Sequence, residues 1–114
     1  MAYNEELAQR VRKALSHIRL VEEKKMFGGI AFMVNGKMCI TVGKDRMMFR
    51  VDPAIHDSAL KRKGSRTMMM KGREYKGYIQ VNESGVKNNE DFDYWIGLAL
   101  DFNRKAKASL KRKR

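Results

Sequence analysis

Side chains that commonly carry out covalent chemistry are scarce in this sequence. His17, His56 and Cys39 are its two histidines and its single cysteine. Their spacing is not that of zinc ligands, which come in closely spaced pairs. A nucleophilic Cys39 would need a base beside it, whereas a free cysteine in a strand more often packs as a small apolar residue. We therefore expect a non-enzyme with no catalytic residue, no metal site and no cofactor.

The paired glycines Gly28-Gly29 are the next candidate for chemistry, because glycine-rich loops can hold phosphates. Both the dinucleotide fingerprint and the P-loop place their glycines between a strand and a helix. Here the glycines precede Ile30–Val34, an apolar run typical of a strand. We expect them to allow a bend or a bulge where the chain enters a sheet.

Positive charge is concentrated at the C-terminal end. The net charge is +12, and residues 104–114 hold seven basic side chains and no acidic one. Such a tail can bind phosphates or acidic surfaces, or it can be a solvated end without a partner. If the protein binds nucleic acid, the predicted contacts are Arg104, Lys105, Lys107, Lys111, Arg112, Lys113 and Arg114.

The helices that position these residues are predicted from apolar spacing and caps. Apolar residues at helical intervals indicate helices near 4–19, 53–63 and 89–105. Asn4 is a suitable N-cap for the first helix, and Asp52-Pro53 is a suitable start for the second. Either Asn88 or the residue after it can cap the third.

Five segments have the composition or alternation of strands. They are 30–34, 37–42, 46–51, 66–70 and 77–81. Asn35-Gly36 should join the first two in a hairpin, because both turn residues tolerate positive φ. The order α-β-β-β-α-β-β-α predicts an α+β fold with two layers. Its five-stranded, mainly antiparallel sheet should have helices packed on one face.

The face of the sheet away from the helices is predicted to be a protein interface. Strand alternation places Met33, Cys39, Thr41 and Met48 on that face, among cations. Methionine adapts to different partners, and exposed apolar patches often mark interaction sites. We expect an unidentified protein partner, and a homodimer as the commonest way to use such a face.

The block Lys25–Met38 resembles the signature of the N-terminal domain of the TfoX (Sxy) family of competence regulators. The likeness continues through 3–7, 21–24, 70–73, 76–78 and 91–100, and thus covers about residues 3–103. The signature residues, to which we assign a structural role, are Lys25, Met26, Phe27, Gly28, Gly29, Asn35 and Gly36.

The resemblance implies a two-layer α/β domain of order α-β3-α-β2-α. Full-length members of the family are positive regulators of DNA-uptake genes and act alongside a global transcription activator. They carry a second, C-terminal domain of helix-hairpin character, which we do not find in this chain. We therefore expect a stand-alone member, with a TfoX-N-like domain over residues 1–103 and a basic tail over 104–114. The family offers no catalytic residues to carry over.

Three functional hypotheses follow, of which the least favoured is an enzyme with an unrecognised pocket. The first is a cytoplasmic, non-enzymatic regulatory adaptor, linked to competence or transcription through protein contacts. The alternative is a small basic protein that binds nucleic acid without sequence specificity. A single cysteine and an acidic, polar N-terminus are typical of a cytoplasmic protein. No apolar run approaches the roughly 20 residues of a membrane helix, so we expect no membrane contact.

Overall fold

The computed structural model describes residues 3–26, 29–70 and 72–105. Some of its helices and strands have the predicted bounds and others differ; the strand predicted at 77–81, for example, extends from Arg73 to Asn82. In chain order they are α1 (Glu5–Ala14), β1 (Val21–Met26), β2 (Gly29–Val34), β3 (Lys37–Val42), β4 (Arg46–Arg50), α2 (His56–Ala59), β5 (Ser65–Met70), β6 (Arg73–Asn82) and α3 (Asn89–Lys105). Short 3-10 helices at Pro53–Ile55 and Glu83–Gly85 precede α2 and follow β6. None of the described helices is long and apolar enough to cross a membrane.

The sheet has six strands in the order β1-β2-β3-β4-β6-β5, and all neighbouring strands are antiparallel. The predicted α+β class is confirmed, but the predicted count of five strands is wrong. The missed strand is β1, whose sequence Val-Glu-Glu-Lys-Lys-Met puts charges on both faces and shows no apolar alternation. β1 lies at the edge of the sheet, where charged residues commonly protect a strand from further pairing.

Two of the three helices are shorter than predicted. α1 starts under the Asn4 cap, which accepts the Leu7 N–H at 3.0 Å, but it ends at Ala14 rather than near residue 19. α2 ends at Ala59 rather than near residue 63. The chain leaves α2 through a turn to Gly64, whose φ of +82° reverses its direction. α3 has the predicted bounds.

The turn between β2 and β3 confirms the predicted hairpin. Asn35 has φ 55° and Gly36 has φ 78°, the left-handed pair that a two-residue type I′ turn requires. Gly29, at the start of β2, has a different role. A Cβ on this residue would lie 2.3 Å from the carbonyl oxygen of Val42, so glycine allows β2 to begin close against β3. Phe27 and Gly28 of the predicted signature lie outside the described residues.

One row of cross-strand partners forms the centre of the core. Direct partners in antiparallel strands share a face of the sheet. From β1 to β5 this row consists of Glu23, Phe32, Ile40, Phe49, Ile79 and Thr67. Its four central side chains have no exposed surface.

All three helices contact this row, so they lie on one face of the sheet, as predicted. From α1, the Arg12 guanidinium donates to the Glu23 carboxylate at 2.8 and 2.9 Å. From α3, the Trp95 ring stacks on Phe49 with centroids 5.6 Å apart. From α2, His56 bonds to the last member of the row, on β5. We call this side of the sheet the helix face.

His56 is a buried structural residue of the helix face. Its Nδ1 accepts the N–H of Gly77 at 2.8 Å, so the ring proton lies on Nε2, which donates to Thr67 Oγ1 at 3.0 Å. Gly77 lies in a bulge of β6, between the partner residues Thr67↔Ile79 and Met68↔Tyr75. Burial, with a smaller contribution from the nearby Lys76 cation, lowers the pKa of His56 below its usual 6.5. The neutral ring thus fixes the bulge.

The lowered pKa of His56 predicts acid destabilisation. The unfolded chain binds this proton more readily than the folded one, so the free energy of unfolding should fall as the pH drops through about 6.5. Urea unfolding from about pH 7.5 to about pH 5.5 should show this slope in the wild type. His56→Gln should flatten the slope, and His17→Gln, at an exposed position, should leave it intact. An unchanged slope in His56→Gln would contradict the assignment.

Substitutions of two glycines, one in the bulge and one in α3, should have opposite effects on stability. Gly77 has φ +89°, and a Cβ there would lie 3.0 Å from the Val51 carbonyl oxygen, so Gly77→Ala should cost about 1–3 kcal/mol of stability. Gly97 lies exposed within α3, with no atom within 4 Å of an added Cβ. Gly97→Ala should therefore stabilise by about 0.5–1 kcal/mol. Urea unfolding measures both, and equal effects would contradict the assigned strain.

Candidate functional site: the open face of the sheet

The side of the sheet opposite the helix face, which we call the open face, carries a second complete row of cross-strand partners. From β1 to β5 the row consists of Lys24, Ala31, Thr41, Met48, Gln80 and Arg66. These residues alternate along their strands with the core residues of the helix face. The row is therefore uncharged at its centre and cationic at both ends.

Burial along this row is unusual for a face without helices. Ala31 has no exposed surface and Met48 is 7% exposed, although neither belongs to the core cluster that the described residues form. Thr41 and Gln80 are half-buried, whereas the two terminal cations are exposed. The centre of the row is therefore already largely shielded from solvent at Ala31 and Met48.

Two more methionines extend the apolar centre. Met33 on β2 and Met38 on β3 are direct partners, and both are half-buried. Glu22 pairs with Met33 on the other side and is the acidic neighbour of this group. Of the four predicted interface residues, Met33, Thr41 and Met48 thus lie on the open face.

The fourth predicted interface residue, Cys39, lies in the core instead. Phe32 pairs with Ile40 while Met33 pairs with Met38, so Cys39 is an extra, unpaired residue in a β-bulge. Its side chain is 1% exposed and belongs to the core cluster. The bulge also shifts the alternation by one residue, so Met38 lies on the open face, opposite Met33. Strand alternation continues unbroken through this segment in the sequence, so no local signal marks the bulge.

Two arginines flank a cleft at one end of the open face. The cleft has a volume of about 370 Å³ and is lined by Arg46, Arg66, Gln80 and neighbouring residues. Arg66 Nε donates to Gln80 Oε1 at 3.4 Å, and Arg46 Nε donates to Asp45 Oδ1 at 3.1 Å. Both arginines are exposed. The cleft can therefore present guanidinium groups to an anionic ligand.

A second cleft, of about 620 Å³, lies between the N-terminal ends of α1 and α3. Its lining mixes acids and bases, among them Glu6, Arg10 and Lys87. The Arg10 guanidinium donates to the Val86 carbonyl oxygen at 2.8 Å and lies 4.1 Å from the centroid of the Phe92 ring. Because this arginine already joins the two helices, the cleft is a weaker candidate than the open face.

The structure places only part of the predicted basic tail. Arg104 and Lys105 end α3 and are paired with carboxylates, Arg104 with Asp101 at 2.7 Å and Lys105 with Asp52 at 3.0 Å. The remaining predicted contacts lie outside the described residues: Lys107, Lys111, Arg112, Lys113 and Arg114. Nucleic-acid binding by the tail stays a prediction.

In the described part of the chain, two side chains suited to catalysis, Cys39 and His56, are buried and used in packing. Burial raises the pKa of the Cys39 thiol to about 12, so at neutral pH it is protonated and a poor nucleophile. No three described His, Cys, Asp or Glu side chains are placed to hold a metal ion. The open face therefore offers binding chemistry, from methionines, arginines and a lysine.

The sequence model of the TfoX N-terminal domain family matches residues 13–103. This range contains all six strands and most of α3, and so includes both the helix face and the open face. No match was found among curated proteins or among solved structures. The open face is thus part of the matched domain itself.

The buried position of Cys39 predicts low thiol reactivity. In the native protein, a thiol reagent at about pH 8 should modify Cys39 on the order of 10³-fold more slowly than in the denatured chain, because little thiolate forms at so high a pKa. Cys39 is the single cysteine, so mass spectrometry reports this site alone. Rapid modification of the folded protein would place the thiol on the surface and contradict the bulge.

Proposed function

The chain belongs to the TfoX N-terminal domain family, and we propose that it is a non-enzymatic regulatory adaptor that binds another protein through its open face. Membership of the family supports a regulatory setting, competence or transcription. The observation that carries the proposal is the row from Lys24 to Arg66, which is uncharged at its centre and buried there at Ala31 and Met48, although the described helices lie on the other face.

The composition of the open face supports a protein partner. Antiparallel sheets with one solvated face usually alternate apolar residues inward with polar residues outward. Here Met33, Met38 and Met48 occupy outward positions. Methionine side chains are flexible and polarisable, and they recur in surfaces that bind more than one partner. Met33 and Met38 are half-buried, so a partner that covers their remaining exposed surface gains free energy.

The environments of the reactive groups support a role without catalysis. The ring of His56 is used to fix the β6 bulge, and Cys39 is a buried thiol with a raised pKa. Perturbed groups at active sites usually face a cleft that a substrate can enter. These two residues contact the core and the backbone instead.

The adaptor proposal predicts that Thr41→Glu abolishes partner capture. Thr41 lies half-buried at the centre of the row, and a carboxylate there would disrupt packing of a partner on the methionines. The measurement is quantitative mass spectrometry of proteins captured from native cytoplasm. The wild type should capture a partner, and the captured amount should fall about tenfold or more with Thr41→Glu.

The matched control for this experiment is Ser58→Glu. Ser58 is exposed on α2, on the helix side, and the substitution adds the same carboxylate. Thermal unfolding verifies that both variants fold. Capture that survives Thr41→Glu, or that is lost equally with Ser58→Glu, would contradict an interface on the open face.

The net charge of +12 supports a second candidate function, nucleic-acid binding through the basic tail. Binding to duplex DNA should then weaken with salt, with a log–log slope on the order of −3 to −4 if about four phosphates are neutralised. Deleting residues 106–114 preserves the described α3 and should flatten that slope. A truncated protein with equal affinity and slope would exclude the tail as the binding element.

A further inference from the structure

We propose that the open face binds an amphipathic helix whose apolar stripe is bordered on both sides by acidic residues. This inference rests on the proposed function, that the face binds a protein, and adds the chemistry of the segment it binds. It is carried by the geometry and charge of the row between Lys24 and Arg66.

The width of the row fits one helix. Six strands at about 4.8 Å spacing place the backbones of its terminal residues about 24 Å apart. A helix with its side chains is about 10–12 Å wide. A single helix over Thr41 and Met48 therefore leaves Lys24 along one flank and Arg66 along the other.

The centre of the row fits an apolar stripe. Ala31 and Thr41 are small, and Met33, Met38 and Met48 surround them. A helix that binds in this way presents apolar residues at i, i+3, i+4 and i+7. The unbranched methionines can adapt to the shapes of these residues.

The charges of the open face favour a helix with acidic residues on both flanks. Lys24, Arg46 and Arg66 are exposed cations on the open face, against two acids, Glu22 beside the methionines and Asp45, which is paired with Arg46. Arg46 and Arg66 line the same cleft, and a guanidinium group can bind a carboxylate through two parallel hydrogen bonds. Complementary charges of this kind mainly set specificity and association rate.

Two other occupants fit the row less well. A second copy in a two-fold, face-to-face dimer would bring the cationic edges together, because both copies use the same surface. A single nucleic-acid strand would be attracted by the cations, but on a sheet it usually stacks its bases on aromatic rings. Between its two cationic ends this row offers Ala31, Thr41, Met48 and Gln80, whereas the ring of Tyr78 lies outside the row, beside Arg50 and edge-on to Tyr75.

The test uses a synthetic helical peptide of about 18 residues with a leucine stripe between two rows of glutamate. A matched peptide carries glutamine in place of glutamate, and another carries lysine. Fluorescence anisotropy with the full chain should show binding of the glutamate peptide and about tenfold weaker binding of the glutamine peptide. The affinity for the glutamate peptide should fall as salt rises from about 50 to about 300 mM.

Two charge-matched variants locate the site. The double variant Lys24→Glu with Arg66→Glu should bind the glutamate peptide about tenfold or more weakly than the wild type does. It should also bind the lysine peptide. Lys13→Glu with Lys87→Glu changes the net charge by the same amount at exposed residues of α1 and of the loop before α3. This control should stay within about twofold of the wild type.

The inference is overturned if no peptide binds, if the glutamate and glutamine peptides bind equally, or if both double variants weaken binding alike. Binding of oligothymidine that depends on Lys24 and Arg66 while the peptides fail would identify a nucleic-acid face instead. If sedimentation shows a dimer that Thr41→Glu dissociates, and no peptide binds, the occupant of the open face would be a second copy of this chain. Partner capture that still depends on Thr41 would preserve the proposed function while refuting the acidic helix.

Discussion

Cross-strand register is the constraint on which the rest of this structure depends. Because side chains alternate, a slip of one residue in any strand pair would exchange the two faces of the sheet. The register places Phe32, Ile40, Phe49 and Ile79 in one row, against which α1, α2 and α3 pack. The same register necessarily places Ala31, Thr41, Met48 and Gln80 on the other side. The core and the open face are thus two consequences of one pairing pattern.

Two bulges adjust that pattern where strict alternation would fail. In β3, the bulge at Cys39 puts a small thiol into the core and moves Met38 to the open face. In β6, the bulge around Gly77 is held by the neutral ring of His56, which bonds to the backbone on one side and to Thr67 on the other. Both bulges use buried residues that could have been mistaken for catalytic groups.

What the sequence could predict depended on how local the determining interaction was. The Asn35-Gly36 turn, the bounds of α3 and the apolar strands follow from neighbouring residues, and the structure confirms them. β1 was missed because its evidence lies in its partner β2 rather than in its own charged residues. The Cys39 bulge was missed for the same reason, since it is defined by register with Phe32. Of the predicted interface, Met33, Thr41 and Met48 could be placed from alternation alone.

The open face also explains why the cations of this protein divide into two groups. Arg10, Arg12 and Arg62, on the helix side, are used internally, over aromatic rings or against carboxylates. On the open face, Arg46 bonds to the neighbouring Asp45, whereas the guanidinium of Arg66 bonds to a neutral amide and Lys24 is exposed. A charge satisfied within the fold contributes little to recognition, whereas an exposed charge at the rim of an apolar surface can steer and orient a partner. The asymmetry between the faces therefore supports the proposal that a partner is recognised by the strands, while the helices contribute stability.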